Sequence, residues 1–111
     1  MKQLIDATCP ECRGPLTALS DGGPLEFQCL VGHRYSPMSL LHEHYTTEER
    51  KLWAAVVALE ETPNLVKAVS PYLPKEAQQT LQREAEEKVE QAKQIRAVLE
   101  NLKAFQTGSI E

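Results

Sequence analysis

The spacing of hydrophobic and polar positions changes near Tyr45, and the change divides the chain into two regions. In the first, residues 15–19 and 25–29 are short alternating segments. They flank Ser20-Asp21-Gly22-Gly23-Pro24, whose Asp and glycines supply the conformations a turn needs. Together they predict a β-hairpin. Ser36-Pro37 then reads as a helix start, with serine as N-cap and proline at the first helical position, where its missing N–H costs nothing. A short helix over residues 37–42 is expected to follow.

From Thr46 onward the spacing is helical. Thr46-Thr47-Glu48-Glu49 has the form of a capping box, in which Thr46 and Glu49 bond each other's backbone amides, so a long helix is expected to begin there. Its apolar stripe runs through Leu52, Trp53, Val56, Leu59, Val66 and Val69. Pro63 removes one backbone bond and crowds the preceding turn, which predicts a kink or a break near residues 61–63. Ser70-Pro71-Tyr72-Leu73-Pro74 reads as a turn. Residues 74–105 are again helical, with Leu81, Ala85, Ala92, Ile95, Leu99 and Leu102 on one face and Lys88 breaking that stripe halfway. The short connection makes the two helices an antiparallel hairpin, and residues 107–111 are expected to fray.

The architecture read from this pattern is α+β and mostly α. A small module occupies residues 1–45, and a helical hairpin occupies residues 46–111, with helices at 46–69 and 74–105. A two-helix hairpin has an apolar face left over, which calls for a partner: the first module or a second copy.

Composition narrows the options. A chain of 111 residues holds one domain, or a stapled module joined to a second small element, and neither half buries a large core alone. A hydrophobic content of 41% with 25% charge argues against wholesale disorder. Aromatics make up only 5%, which casts Trp53, Phe27, Phe105 and the tyrosines as anchors, with Trp53 as the plug between helix and module. A net charge of -4 disfavours a surface built to neutralise phosphates. No stretch reaches membrane-spanning length and no charged start leads into an apolar run, so a cytoplasmic protein without membrane contact is expected.

All three cysteines of the chain lie in the first region, as Cys9-Pro10-Glu11-Cys12-Arg13-Gly14 and then Cys29-Leu30-Val31-Gly32-His33. An odd number of cysteines leaves a thiol over in any disulfide framework, whereas a reducing compartment keeps thiolates available for metal. A Cys-x-x-Cys pair lets two thiolates from one tight turn bind a single ion, and Cys29 with His33 has the spacing of the distal half of many zinc fingers. Cys9, Cys12, Cys29 and His33 are therefore the expected ligands of a structural zinc ion. Gly14 is expected to supply the positive φ that the first knuckle needs. His42 and His44 are the other candidates for the fourth ligand; His33 is preferred by its spacing from Cys29, and both of the others read as residues of a solvated helix end.

Two other uses of the cluster are weaker. A catalytic zinc would leave one position to water and keep a general base nearby, for which Glu11 and Glu26 are the candidates. With four ligands at hand the closed site is preferred, and no catalytic residue is assigned. A Cys-x-x-Cys redox centre lacks the strand-then-helix setting that lowers a cysteine pKa. Arg34 and Tyr35 offer at most a small recognition surface, and Tyr35 is expected to pack on the ribbon. The charged run from Arg83 to Lys93 reads as a solvated helix face with i,i+4 pairs.

The segments Cys9-Pro10-Glu11-Cys12-Arg13-Gly14-Pro15-Leu16, Phe27-Gln28-Cys29-Leu30-Val31-Gly32-His33-Arg34-Tyr35-Ser36, Ser39-Leu40-Leu41, Leu52-Trp53-Ala54-Ala55 and Ala58-Leu59-Glu60-Glu61 carry a resemblance. Over residues 8–61 the chain resembles the C-terminal zinc-ribbon and helix extension found on bacterial proteins of the chemotaxis-receptor methylesterase family. The resemblance implies a bacterial, cytoplasmic, zinc-bound module, here standing alone, with Cys9, Cys12, Cys29 and His33 matching the family's presumed ligands. The α/β methylesterase domain of those relatives, with its serine nucleophile, has no counterpart in these 111 residues, so hydrolase activity is not carried over. Pro63 departs from the family pattern. The function expected is a zinc-stabilised protein-interaction or regulatory module associated with signalling, acting through another protein or a second copy. A nucleic-acid-binding ribbon is the alternative, disfavoured by the acidic balance and by the lack of aromatics among basic residues. A zinc hydrolase comes third.

Overall fold

The computed structural model describes the backbone of residues 2–110 and the side chains of residues 2–102. Along it run β1 (Lys2–Thr8), β2 (Pro15–Leu19), β3 (Glu26–Cys29), β4 (Arg34–Tyr35), α1 (Pro37–Val69), a 3-10 turn (Ser70–Tyr72) and α2 (Lys75–Ile110). The fold is α+β and mostly helical, with an antiparallel sheet followed by a helical hairpin. The chain divides into two compact units, Met1–Glu48 and Glu49–Glu111.

The predicted hairpin is the centre of a wider sheet with strand order β1-β2-β3-β4. Leu16 faces Cys29 and Leu19 faces Glu26 across β2 and β3, and the connecting turn takes a positive φ of 80° at Gly22. The outer strands have no alternation to announce them. In β1 the adjacent pair Leu4 and Ile5 stands among polar residues; it pairs with β2 as an edge, leaving Leu4 68% exposed. β4 is only two residues long and pairs Tyr35 with Phe27. In the first unit the buried cluster is Cys9, Leu16, Cys29 and Tyr35, with Ile5, Cys12, Phe27 and Leu40 packed against it.

Ser36 caps α1 as expected. Its Oγ accepts the Ser39 amide at 3.2 Å, and the Ser39 hydroxyl returns a bond to the Ser36 carbonyl at 3.1 Å. The helix does not stop at His42, nor does a new one start at Thr46. No Gly or Pro stands between Met38 and Thr62, so nothing ends the hydrogen-bond ladder, and Thr46 is helical rather than the extended N-cap a capping box requires. The helix also runs unbroken through Pro63. Proline removes a single N–H there, and the Thr62 hydroxyl bonds the Ala58 carbonyl one turn back at 3.3 Å.

The hairpin is sealed by Val56, Ala92 and Leu99, with Leu52, Leu59 and Ile95 alongside. Ala85 and Val66 are also buried. Lys88 does not interrupt the stripe on α2, because half-buried Val89, four residues after Ala85, continues it while Lys88 faces water. Trp53 is 41% exposed, and the Arg96 guanidinium lies 5.2 Å from its ring centroid. Its ring is thus engaged by a cation of α2. Arg96 also forms a two-pronged ion pair with Glu60, at 2.9 and 3.0 Å. At the turn, the Gln78 side-chain amide donates to the carbonyls of Ser70 at 2.6 Å and Leu73 at 2.9 Å, tying the turn to the start of α2, and the Ser70 carbonyl also accepts the Leu73 amide at 3.0 Å. The second helix continues to Ile110, past the end expected at residue 105 and through most of the stretch expected to fray. The side chain of Phe105, expected as an anchor, lies outside the described residues.

Candidate metal centre

Two loops of the first unit carry the ligand candidates. The turn between β1 and β2 is closed by the Cys9 amide donating to the Gly14 carbonyl at 2.8 Å and by the Arg13 amide donating to the Cys9 carbonyl at 2.8 Å. The turn between β3 and β4 is closed by bonds from the Cys29 amide to the His33 carbonyl, 3.1 Å, and from the Gly32 amide to the Cys29 carbonyl, 3.2 Å. Each turn bends its backbone amides toward sulfur, as a metal knuckle does. The His33 amide donates to Cys29 Sγ at 3.3 Å.

The positive φ of the first knuckle falls on Arg13, at 65°, and not on Gly14. Gly14 is constrained by space instead: a Cβ there would meet Cys12 Sγ at 3.4 Å. In the second knuckle Gly32 takes φ 112°, a conformation that L side chains rarely adopt.

Cys9, Cys12, Cys29 and His33 converge, with their ligand atoms all within 4.8 Å of one another. Cys9 and Cys29 are buried, whereas Cys12 and His33 are half-buried. The His33 ring presents Nδ1 to the sulfurs, 3.3 Å from Cys29 Sγ and 3.6 Å from Cys9 Sγ. Bonds of zinc length to sulfur and nitrogen, meeting at a tetrahedral angle, place those two atoms roughly 3.5 Å apart. The residues therefore fit a small tetrahedral cation. His42 and His44 lie within α1 and not at a helix end as expected; His44 Nε2 is 3.8 Å from Glu48, and neither histidine joins the cluster. Glu26 starts β3 at the end opposite Cys29.

The surroundings lower two of the thiols. Burial pushes the Cys29 thiol up, but hydrogen bonds from the His33 amide, Cys12, the Gly32 amide and the His33 ring outweigh it and bring the pKa down to about 6. Burial likewise opposes the charged form of Cys9, and the Tyr35 hydroxyl with the Cys12 and Glu11 amides turns the balance downward. Cys12 is held up despite a bond from the Gly14 amide, through burial and the neighbouring Cys29 and Cys9 sulfurs. His33 is raised, first by its bond to Cys29, against burial, and further by Cys9 and Glu11. The surroundings thus favour the thiolate at Cys29 and, to a degree, at Cys9, the form in which cysteine binds metal.

Two residues of the site have roles that sequence reasoning did not assign. Glu11 Oε2 lies 3.1 Å from His33 Nε2, and the Tyr35 hydroxyl donates to Glu11 Oε1 at 3.0 Å. Tyr35 Oη is also 3.2 Å from Cys9 Sγ. Tyr35 packs in the ribbon core as expected, but its hydroxyl is part of the polar site. Its position two residues after His33 was the available signal, since period-two spacing points both side chains to one side of an extended segment.

No protein-family model matches this chain, and no curated protein or solved structure proved similar to it.

Proposed function

We propose that the first unit is a zinc-binding module whose ion is structural, and that the protein acts by binding another protein or a second copy through its helical hairpin. The observation that carries this reading is the convergence of three sulfurs and one imidazole nitrogen from two knuckles. Thiolates with imidazole suit zinc, and four protein donors fill its tetrahedron without leaving the open position that a catalytic ion keeps for water. When bound, the ion would supply the cross-link between knuckles and no reaction step. Cys9, Cys12, Cys29 and His33 would hold it.

The interaction role draws on the hairpin. Val57, Leu65, Tyr72 and Val98 are all at least half exposed on a unit whose own seam is narrow. No helix among the described residues is long and apolar enough to cross a membrane. The resemblance to the zinc-ribbon extension of bacterial chemotaxis-receptor methylesterases leads us to place this module in cytoplasmic signalling, without catalysis of its own.

Metal content and solution mass measured on one sample test the reading together. One zinc per chain, and a mass above that of the monomer or a partner recovered by crosslinking, is the expected result. Absence of zinc overturns the first half; a strict monomer with no partner overturns the second.

A further inference from the structure

We infer that Glu11 and Tyr35 are positioning residues of the metal centre, fixing His33 with Nδ1 turned to the sulfurs and steadying the Cys9 sulfur. The inference rests on the metal-binding reading above. An imidazole that binds a cation gives it the lone pair of one nitrogen, so its single proton must sit on the other, where a carboxylate can accept it. That second nitrogen is Nε2, and Glu11 Oε2 is 3.1 Å from it. A proton held there leaves Nδ1 free to bind, and Nδ1 is the nitrogen 3.3 Å from Cys29 Sγ.

The carboxylate is itself held. Its other oxygen accepts the Tyr35 hydroxyl at 3.0 Å, and Tyr35 is buried in β4, where pairing with Phe27 sets its position. The same hydroxyl lies 3.2 Å from Cys9 Sγ, so one phenolic proton faces two acceptors, the carboxylate and the sulfur. Glu11 arises between two ligands of the first knuckle and reaches the histidine of the second. It ties the knuckles together by a route that does not pass through the ion. An exposed ion pair of this kind contributes little alone. What distinguishes this one is that both carboxylate oxygens are engaged, by His33 itself and by a buried hydroxyl that touches a ligand sulfur.

The test uses the full chain loaded with Zn2+. Apparent affinity is measured against a chromophoric chelator for wild type, Glu11→Ala, Glu11→Gln and Tyr35→Phe, and the His33 ring is followed by 15N NMR. Loss of the carboxylate should weaken zinc binding by about 10- to 100-fold, the usual effect of removing the partner of a ligating histidine. Glu11→Gln should lie between, because its amide oxygen still accepts from Nε2 but carries no charge. In the wild type Nε2 should carry the proton, and its exchange with water should accelerate in Glu11→Ala. Unchanged affinity in Glu11→Ala and Tyr35→Phe, zinc on Nε2, or weakened binding without faster Nε2–H exchange each overturns the inference. A wild-type chain that takes up no zinc instead overturns the metal reading beneath it.

Discussion

In Met1–Glu48 two of the four buried cluster residues, Cys9 and Cys29, are metal-ligand candidates, and Leu16 and Tyr35 complete the cluster. In Glu49–Glu111 the corresponding cluster is Val56, Ala92 and Leu99, with no polar member. Ordering a backbone costs about 1–2 kcal/mol per residue, and a handful of buried side chains does not offset that for the first unit. The second unit meets the same cost with two helices whose backbone bonds are internal and whose seam extends by regular repetition. One unit concentrates its cohesion at a point and the other spreads it along a line. Loss of a ligand should therefore be all-or-none in the first, and loss of a seam residue graded in the second.

Removal of the proposed metal should have the largest effect. Ligand binding energy is folding energy in such sites, on the order of 10 kcal/mol for structural zinc. A strong chelator, or Cys12→Ala, should unfold the sheet while the hairpin stays helical. Trp53, the sole tryptophan, lies beneath Arg96 and reports on the hairpin by fluorescence, while far-UV circular dichroism follows helix content. Melting of both units together would show that the separation is false, and melting of neither that the first unit does not depend on a metal.

Next in size is the seam. Leu99 is 2% exposed, and Leu99→Ala should destabilise the hairpin by about 2–4 kcal/mol through lost burial and the cavity left behind. Zinc affinity should not change. Titrating zinc into this variant checks it, and a matched fall in affinity would mean that the line supports the point.

How much of this was legible in the sequence follows the same division. The cluster Cys9, Cys12, Cys29 and His33 was readable because ligand chemistry needs particular residue types at particular spacings. The strands over residues 15–19 and 26–29 were readable from alternation. β1 was not, because an edge strand that buries little has no apolar period to show. The unity of α1 was hidden by Thr46-Thr47-Glu48-Glu49, which has a cap's composition but lies in a stretch with no residue able to end a helix. At Pro63 the break allowed for in the sequence does not occur: the helix continues, with Val56 and Val66 buried on either side. The polar bonds of Glu11 and Tyr35 join residues 24 apart, which no local pattern encodes.

Backbone strain sharpens the picture within the first unit. Gly32→Ala places a side chain at φ 112° and should cost about 1–2 kcal/mol, although nothing lies within 4 Å of the added carbon. At Arg13, φ 65°, the reverse change Arg13→Gly should stabilise by less than about 1 kcal/mol, the relief being offset in part by the added freedom of the unfolded chain. Thermal melts of the zinc-loaded forms measure both, and equal effects at the two positions would mean that the knuckle conformations are not held as described.

The smallest effect belongs to the one cross-hairpin ion pair resolved among the described residues. The Arg96 guanidinium, hydrogen-bonded to Glu60, holds that carboxyl below its ordinary range, and the raised Arg96 does not titrate in reach. The unfolded chain therefore takes up the Glu60 proton first as pH falls. Stability from the pair is fully present above the ordinary carboxylate range and is lost as pH drops through the depressed value in the folded hairpin. Acid also protonates the metal ligands, so the informative quantity is the difference in melting midpoint between wild type and Glu60→Gln, in which that loss is common to both. The difference should be modest at neutral pH, shrink toward zero in acid, and shrink again with added salt, since both groups are exposed and screened. A difference that ignores pH and salt would assign the contact to packing, and the hairpin would then be held by its apolar line alone.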